Sequence, residues 1–143
     1  MSGPQAALWG GNQWSRWYTL SDAIAPRTAV APMQPGIYRI RCSDRPGLVY
    51  IGQSGRSLRT RLRQLRDGMH DAEAGRPQNA PHFAAPCVYS HVARGWTIEV
   101  SWIAMPQVDK RERFGIEVDL IALYRRTEKA SPTCQFAGAL EPP

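Results

Sequence analysis

Two positions, Glu117 and Arg61, hold charge where the surrounding pattern is apolar, and charge there needs a chemical reason. On a wheel of roughly 100° per residue, Phe114, Ile116, Leu120, Ile121 and Tyr124 make one broad apolar face, with Glu117 near its centre. An unpaired carboxylate in hydrocarbon is costly. Glu117 is therefore expected to pair with an inward arginine, Arg61 or Arg113, or to ligate a metal ion. Mg²⁺ fits the second role, because it takes few protein carboxylates and keeps several waters. The two roles can coexist. Arg61 stands alone on one flank of a helix whose apolar stripe is Leu58, Leu62, Leu65 and Met69. A guanidinium at the edge of a core needs an anion, and a phosphate gaining charge in a transition state is one. Arg59, Arg63 and Arg66 share the other flank and fit either a solvated helix face or phosphate contact. Tyr38 and Tyr50 are the remaining candidates, although strand tyrosines with satisfied hydroxyls are commonly packing residues.

The elements that must position these groups are legible in outline. Gly36 to Cys42 alternates as a strand, Ser43 to Gly47 is turn chemistry, and Leu48 to Gly52 is a second strand, which together predict a hairpin. Tyr38 shares a strand face with Ile40, and Tyr50 shares one with Leu48. Ser57 is a plausible N-cap for a helix reaching about Gly68. A polar loop from Asp71 to Ala80 follows. Pro81 opens a helix from His82 to Ala93 that Gly95 stops, and Thr97 to Ile103 is a third strand with Ile98, Val100 and Trp102 on one face. Lys110 to Arg126 is the long helix of Glu117. Residues 1–13 are aperiodic and read as a flexible tail, Trp14 to Ile24 as a short amphipathic piece, and Ala25 to Pro35 as a Pro-punctuated linker. The expected organisation is a single domain over 14–138 with a short C-terminal tail at 139–143. The expected fold is α+β, a small three-stranded antiparallel sheet flanked by helices.

Composition sets the classes of partner. A formal charge of +6 and a pI near 9.7 favour a polyanion, nucleic acid or an anionic surface. Lys110 and Lys129 are the only lysines, so the excess is arginine, whose planar fork suits phosphate. A GC-rich genome produces the same bias, so charge alone is a weak pointer. No run of about 18 apolar residues suggests a membrane span, and Met1 to Gly11 lacks the pattern of a secretory signal. Cys42, Cys87 and Cys134 fit neither a C-x-x-C metal pattern nor an even disulfide framework. Free thiols in a reducing cytoplasm are the expectation.

Gly36-Ile37-Tyr38 and, after eleven intervening positions, Tyr50-Ile51-Gly52 resemble the paired signature of the GIY-YIG nucleases. Ser57 to Leu62 and the segment Gly115 to Ile121 are similar to that family's arginine and glutamate helices, so the resemblance spans roughly 36–136. It implies a GIY-YIG-like sandwich and a DNA endonuclease dependent on Mg²⁺ or Mn²⁺, with no organic cofactor. It implies catalytic roles for Tyr38, Tyr50, Arg61 and Glu117, with Glu117 the metal ligand and Tyr38 the general base toward water. A phenol with a pKa near 10 must be activated for that role, by hydrogen bonds, Arg61 or the metal. Gly36, Gly52 and Ser54 would support the site, Gly52 by leaving room for substrate. Arg56, Arg59, Arg63 and Arg66 would bind nucleic acid.

The chain also departs from the family pattern. Many members place a histidine or lysine near the cluster, whereas Leu65 follows Arg61 by four and Gln53 follows Gly52. His70 could fold back from its helix end or simply cap it in solvent, and His82 and His91 are the other imidazoles. An asparagine common after the glutamate helix has Gln135 as its nearest match. The alternative expectation is a nucleic-acid binding module of this fold with weak or no catalysis.

Overall fold

A computed structural model describes residues 3–78 and 82–136. The protein is α+β. Its main sheet contains β3 (Tyr18–Thr19), β4 (Gly36–Cys42), β5 (Tyr50–Ser54) and β6 (Ile98–Ala104) in the order β3-β6-β4-β5, all antiparallel. Among the described residues four helices accompany it: α1 (Leu20–Ala23), α2 (Leu58–Glu73), α3 (Ala85–Val92) and α4 (Lys110–Glu128). Tyr38 stands between Gly52 on β5 and Trp102 on β6.

Strand β4 is buried on both faces. Tyr38, Ile40 and Cys42 face one core with Leu58, Leu62 and Leu65 of α2 and Val88 of α3. Ile37 faces the other, with Leu120 and Tyr124 of α4 and with Trp9 and Trp14. The apolar stripe of α2 therefore packs as its period requires. Ser57 caps that helix by accepting from the Thr60 amide at 3.1 Å. The helix runs past Gly68 because that glycine is a packing position. A Cβ there would lie 2.6 Å from the Cβ of Ala85, so its absence lets α3 approach α2.

Three expectations are corrected. The sheet has four strands, because Tyr18 and Thr19 pair with Val100 and Glu99 at the β6 edge, and only Leu20–Ala23 of the amphipathic piece is helical. Residues 3–13 are no loose tail: β1 (Leu8–Trp9) pairs with β2 (Asn12–Gln13), and Trp9 is 5 % exposed. This segment is ordered by what it covers. Arg39, fully buried on the second face of β4, donates to the Pro4 carbonyl at 2.7 Å and lies over the rings of Trp14 and Trp17. A buried guanidinium leaves that segment little freedom. Cys87 and Cys134 are joined in a disulfide, so of the three expected free thiols only Cys42 is one. Pro81 and the tail at 139–143 lie outside the described residues, and the helix expected from His82 to Ala93 is Ala85–Val92. Among the described residues, no helix is long and apolar enough to cross a membrane.

Candidate active site

Strand alternation puts Tyr38 and Tyr50 on the same face of adjacent strands, with ring centroids 6.0 Å apart. Gly52 lies directly opposite Tyr38 and makes that pairing possible. A Cβ there would come within 2.6 Å of Tyr38 Oη, so the glycine makes room for the two phenols themselves rather than for a substrate. Gly36 is likewise a packing position, where a Cβ would run into the Ile103 carbonyl of β6. Ser54 organises the turn into α2: its hydroxyl donates to the Ser57 carbonyl at 2.9 Å and accepts from the Ser57 amide at 3.1 Å.

The turn brings Arg61 within electrostatic reach of both phenols, and α4 brings Glu117 within reach of the same groups. Each pKa reports the balance between burial and this arginine. Burial raises the Tyr38 phenol well above its ordinary value, and the neighbouring Tyr50 adds to the rise while Arg61 opposes it. Burial also pushes Tyr50 up to about 12. Glu117 is pushed up to about 7, again chiefly by burial, with Arg61 pulling it back. Glu117 is half-buried rather than sunk in an apolar face, and Phe114 is 56 % exposed, because the inward side of α4 is Arg113, Leu120 and Tyr124. Among the described residues, the close ion pairs are Arg41–Glu99, Arg66–Asp67 and Arg76–Asp71, so neither Arg61 nor Arg113 closes on Glu117.

The histidine of the site is His82, not His70. Tyr38 Oη and His82 Nε2 are 2.6 Å apart, and the imidazole lies against the Tyr50 ring at 5.3 Å. Burial and the charge of Arg61 hold His82 down to about 3, so the ring is neutral at ordinary pH. The tautomer with hydrogen on Nδ1 lets Nε2 accept the Tyr38 proton. His70 is exposed at the far end of α2, where it lines a separate cavity of about 480 Å³ with Leu20, Met69 and Trp96. His82 had no local signal, since the path from α2 into α3 is what places it. Arg113 did have one, standing four residues before Glu117 on one helix. It is buried and donates to Gln53 Oε1 at 2.7 Å and to the Val108 carbonyl at 3.0 Å, which fixes α4 against the end of β5.

Gln135 is a clasp for the edge strand. Its Oε1 accepts from the Ile51 amide and its Nε2 donates to the Ile51 carbonyl, both at 2.8 Å, so this buried side chain is committed to β5. Gln135→Ala should therefore lower stability by about 2–4 kcal/mol, because two buried main-chain groups lose their partners. A denaturant midpoint unchanged from wild type would refute the clasp.

The arginines divide by their neighbours. Arg56 and Arg61 line an open cavity of about 350 Å³ with Gln53, Thr60 and Gln64. The Arg61 guanidinium donates to Gln64 Oε1 at 3.0 Å, which aims it along that wall. Arg59 instead donates to the Ala31 carbonyl at 2.7 Å, and Arg66 is held by Asp67 at 3.0 Å, so both are already engaged within the protein. Arg63 is half-buried on the same flank. The first amides of α2 are also used, with Leu58 and Arg59 donating to the carbonyls of Gln34 and Pro32. An anion in this cavity would rely on side chains.

Glu117 offers one half-buried carboxylate, a hard oxygen donor that suits a hydrated divalent cation held through a single protein ligand. Comparison with protein-family models, with curated proteins and with solved structures gives no match to this chain.

Proposed function

We propose that this chain is a divalent-metal-dependent endonuclease of the GIY-YIG type acting on DNA phosphodiesters. The observation that carries the reading is the convergence of Tyr38 from β4, Tyr50 from β5, Arg61 from α2 and Glu117 from α4, with His82 bonded to Tyr38. Residues separated by most of the chain come within electrostatic reach of Arg61, and Arg61 lines an open cavity with Arg56. Such convergence of perturbed ionisable groups is what hydrolysis of a phosphodiester requires.

In this reading a substrate phosphate seats against Arg61, with Arg56 at the cavity mouth. Arg61 offsets charge on the equatorial oxygens as it grows. Tyr50 orients the attacking water toward Tyr38. Tyr38 accepts the water's proton at Oη while its own proton passes to His82 Nε2. The phenol then never carries a free negative charge, which its burial would forbid. The nearby phosphate anion favours the imidazolium that this relay forms. Mg²⁺ or Mn²⁺ held by Glu117 would supply Lewis acidity to the phosphate and stabilise the leaving oxygen.

The second reading, a DNA-binding module without turnover, is favoured by one feature: Tyr38 is fully buried and its hydroxyl is already engaged. Incubation with single-stranded, duplex and branched DNA in Mg²⁺, Mn²⁺ or chelator separates the two. Metal-dependent cleavage of any substrate supports the enzyme. Binding without cleavage in all of them supports the module. Arg61→Ala should lower single-turnover cleavage by about 10²–10³ with modest loss of affinity. Arg56→Ala and Arg63→Ala should do the reverse, weakening binding and flattening its salt dependence by about 0.9 in slope for each lost contact with duplex DNA. Equal effects of Arg61→Ala and Arg56→Ala in both assays would remove the distinction.

A further inference from the structure

A second cluster of reactive side chains lies away from the tyrosines, and the proposed hydrolysis does not use it. Cys87 and His91 are four residues apart on α3 and so share a face of that helix. Cys134 reaches them from the segment after α4, and the ligand atoms of all three lie within 4.8 Å of one another. Cys134 is fully buried, His91 is buried, and Cys87 is half-buried, which gives the cluster one side open to solvent. His91 is already oriented, with Nδ1 2.9 Å from the Cys87 carbonyl and its ring against Trp96. A disulfide needs two cysteines and has no use for a positioned imidazole.

We propose that Cys87, His91 and Cys134 form a Zn²⁺ site in the reduced protein, alternating with the Cys87–Cys134 disulfide in the oxidised one. Two thiolates and one imidazole are a soft donor set, which selects Zn²⁺ and discriminates against Mg²⁺. The exchange balances. An external dithiol reduces the disulfide, delivering two electrons and two protons and leaving as its own disulfide. Zn²⁺ then displaces the two thiol protons to the solvent, forming two Zn–S bonds and one Zn–N bond. Typical Zn–S and Zn–N distances of about 2.3 and about 2.1 Å require the sulfurs to part while the helix that carries Cys87 and His91 stays whole. The fourth position is left to water, on the side where Cys87 is exposed.

Either state staples the same two elements. The segment bearing Cys134 donates main-chain hydrogen bonds from Thr133 and Cys134 to Leu48 and Val49, and its next residue, Gln135, clasps Ile51. Helix α3 begins at Ala85, one short turn after His82. A metal staple thus keeps β5 and the His82 segment joined when no disulfide can persist.

The test uses the full chain, reduced with a phosphine and desalted without oxygen, with Co²⁺ as the probe for a Zn²⁺ site. One equivalent of Co²⁺ should produce thiolate-to-cobalt charge-transfer absorption in the near ultraviolet, and Zn²⁺ should displace it. The oxidised chain should give none. His91→Ala, which leaves the disulfide possible, should weaken Co²⁺ binding by at least about tenfold, while Cys42→Ser should bind as wild type does. Circular dichroism on the same samples establishes that each chain is folded. A folded reduced chain without the absorption overturns the proposal, as does absorption unchanged in His91→Ala or lost in Cys42→Ser.

Discussion

Glu117→Gln should leave a folded chain that binds DNA, cleaves it at less than about 10⁻³ of the wild-type rate, and melts higher than wild type at pH 8. The stability arm follows from the carboxyl itself. Burial lifts its pKa from the ordinary 4.5 to about 7 in the folded protein. Between those values the folded chain holds a proton that the unfolded chain has lost. Folded stability therefore falls as pH rises through this window, and the full penalty applies above about 7. Glutamine carries no such penalty. The gain at pH 8 should be about 1–2 kcal/mol, set low because Glu117 is partly exposed and solvent screens it. It should vanish near pH 4, where Glu117 is protonated in both states. Melting in chelator at the two pH values reads this difference. Adding Mg²⁺ should then raise the melting temperature of wild type at pH 8 and leave that of the variant unchanged, since a ligand stabilises only the state that binds it. Wild-type cleavage by the variant would remove Glu117 from the site, and an equal stability gain at both pH values would refute its raised pKa.

Tyr38→Phe and His82→Ala should each lower single-turnover cleavage by about 10²–10⁴, the range for proton transfer by a placed group. The pair matters more than either residue. The Tyr38 hydroxyl and His82 Nε2 are 2.6 Å apart, so deleting either end of that bond breaks the same relay. The double variant should be no slower than the worse single variant, as expected for groups that act as a unit. Each single change should also cost about 1–3 kcal/mol, because it strands the buried partner; melting curves separate that loss from catalysis. The wild-type pH profile is the further check. Both phenols are raised by burial and His82 is held near 3, so none of them titrates between pH 6 and 10. Among the four groups of the relay and its carboxylate, the one that does is Glu117, near 7. Cleavage at low metal concentration should fall about tenfold per pH unit below that value and level off above it. Additive losses in the double variant would refute the relay. A profile still climbing at pH 10 would mean that a phenol ionises directly.

Acid should act on the fold through His82 in the opposite sense from Glu117. Its pKa is depressed in the folded chain, so its contribution is intact above its ordinary 6.5 and is lost as pH falls toward about 3.

The sequence by itself determined part of the local structure, although β5 is Tyr50–Ser54 rather than Leu48–Gly52 and α2 runs to Glu73. Strand β4 has the bounds that its alternation implies. Ser57 caps α2 as its side chain and position require, and the Leu58, Leu62, Leu65 stripe is buried. These features depend on neighbours within one or two turns, so periodicity and capping chemistry carry them. The sequence also marked Tyr38, Tyr50, Arg61 and Glu117 as candidates through local signals, the paired tripeptides and charge on an apolar pattern, although the apolar face drawn around Glu117 is only partly buried.

Tertiary structure decided everything that depends on distant segments meeting. His82 rather than His70 reaches Tyr38, because the approach of α2 and α3 at Gly68 sets the entry to α3, and nothing near residue 82 encodes that approach. Gln135 became a clasp because the last described segment lies along the open edge of β5, whose main-chain groups must be satisfied. Arg59 was drawn to the Ala31 carbonyl by a linker whose path is not periodic. The N-terminal residues order because Trp9 packs into the core on the second face of β4 and Arg39, buried on that face, takes the Pro4 carbonyl as its partner. Cys87 and Cys134, forty-seven residues apart, meet for the same reason. Spacing along the chain fixes which face a side chain takes, but a polar group's partner is chosen by whichever unsatisfied atom the packing brings to it.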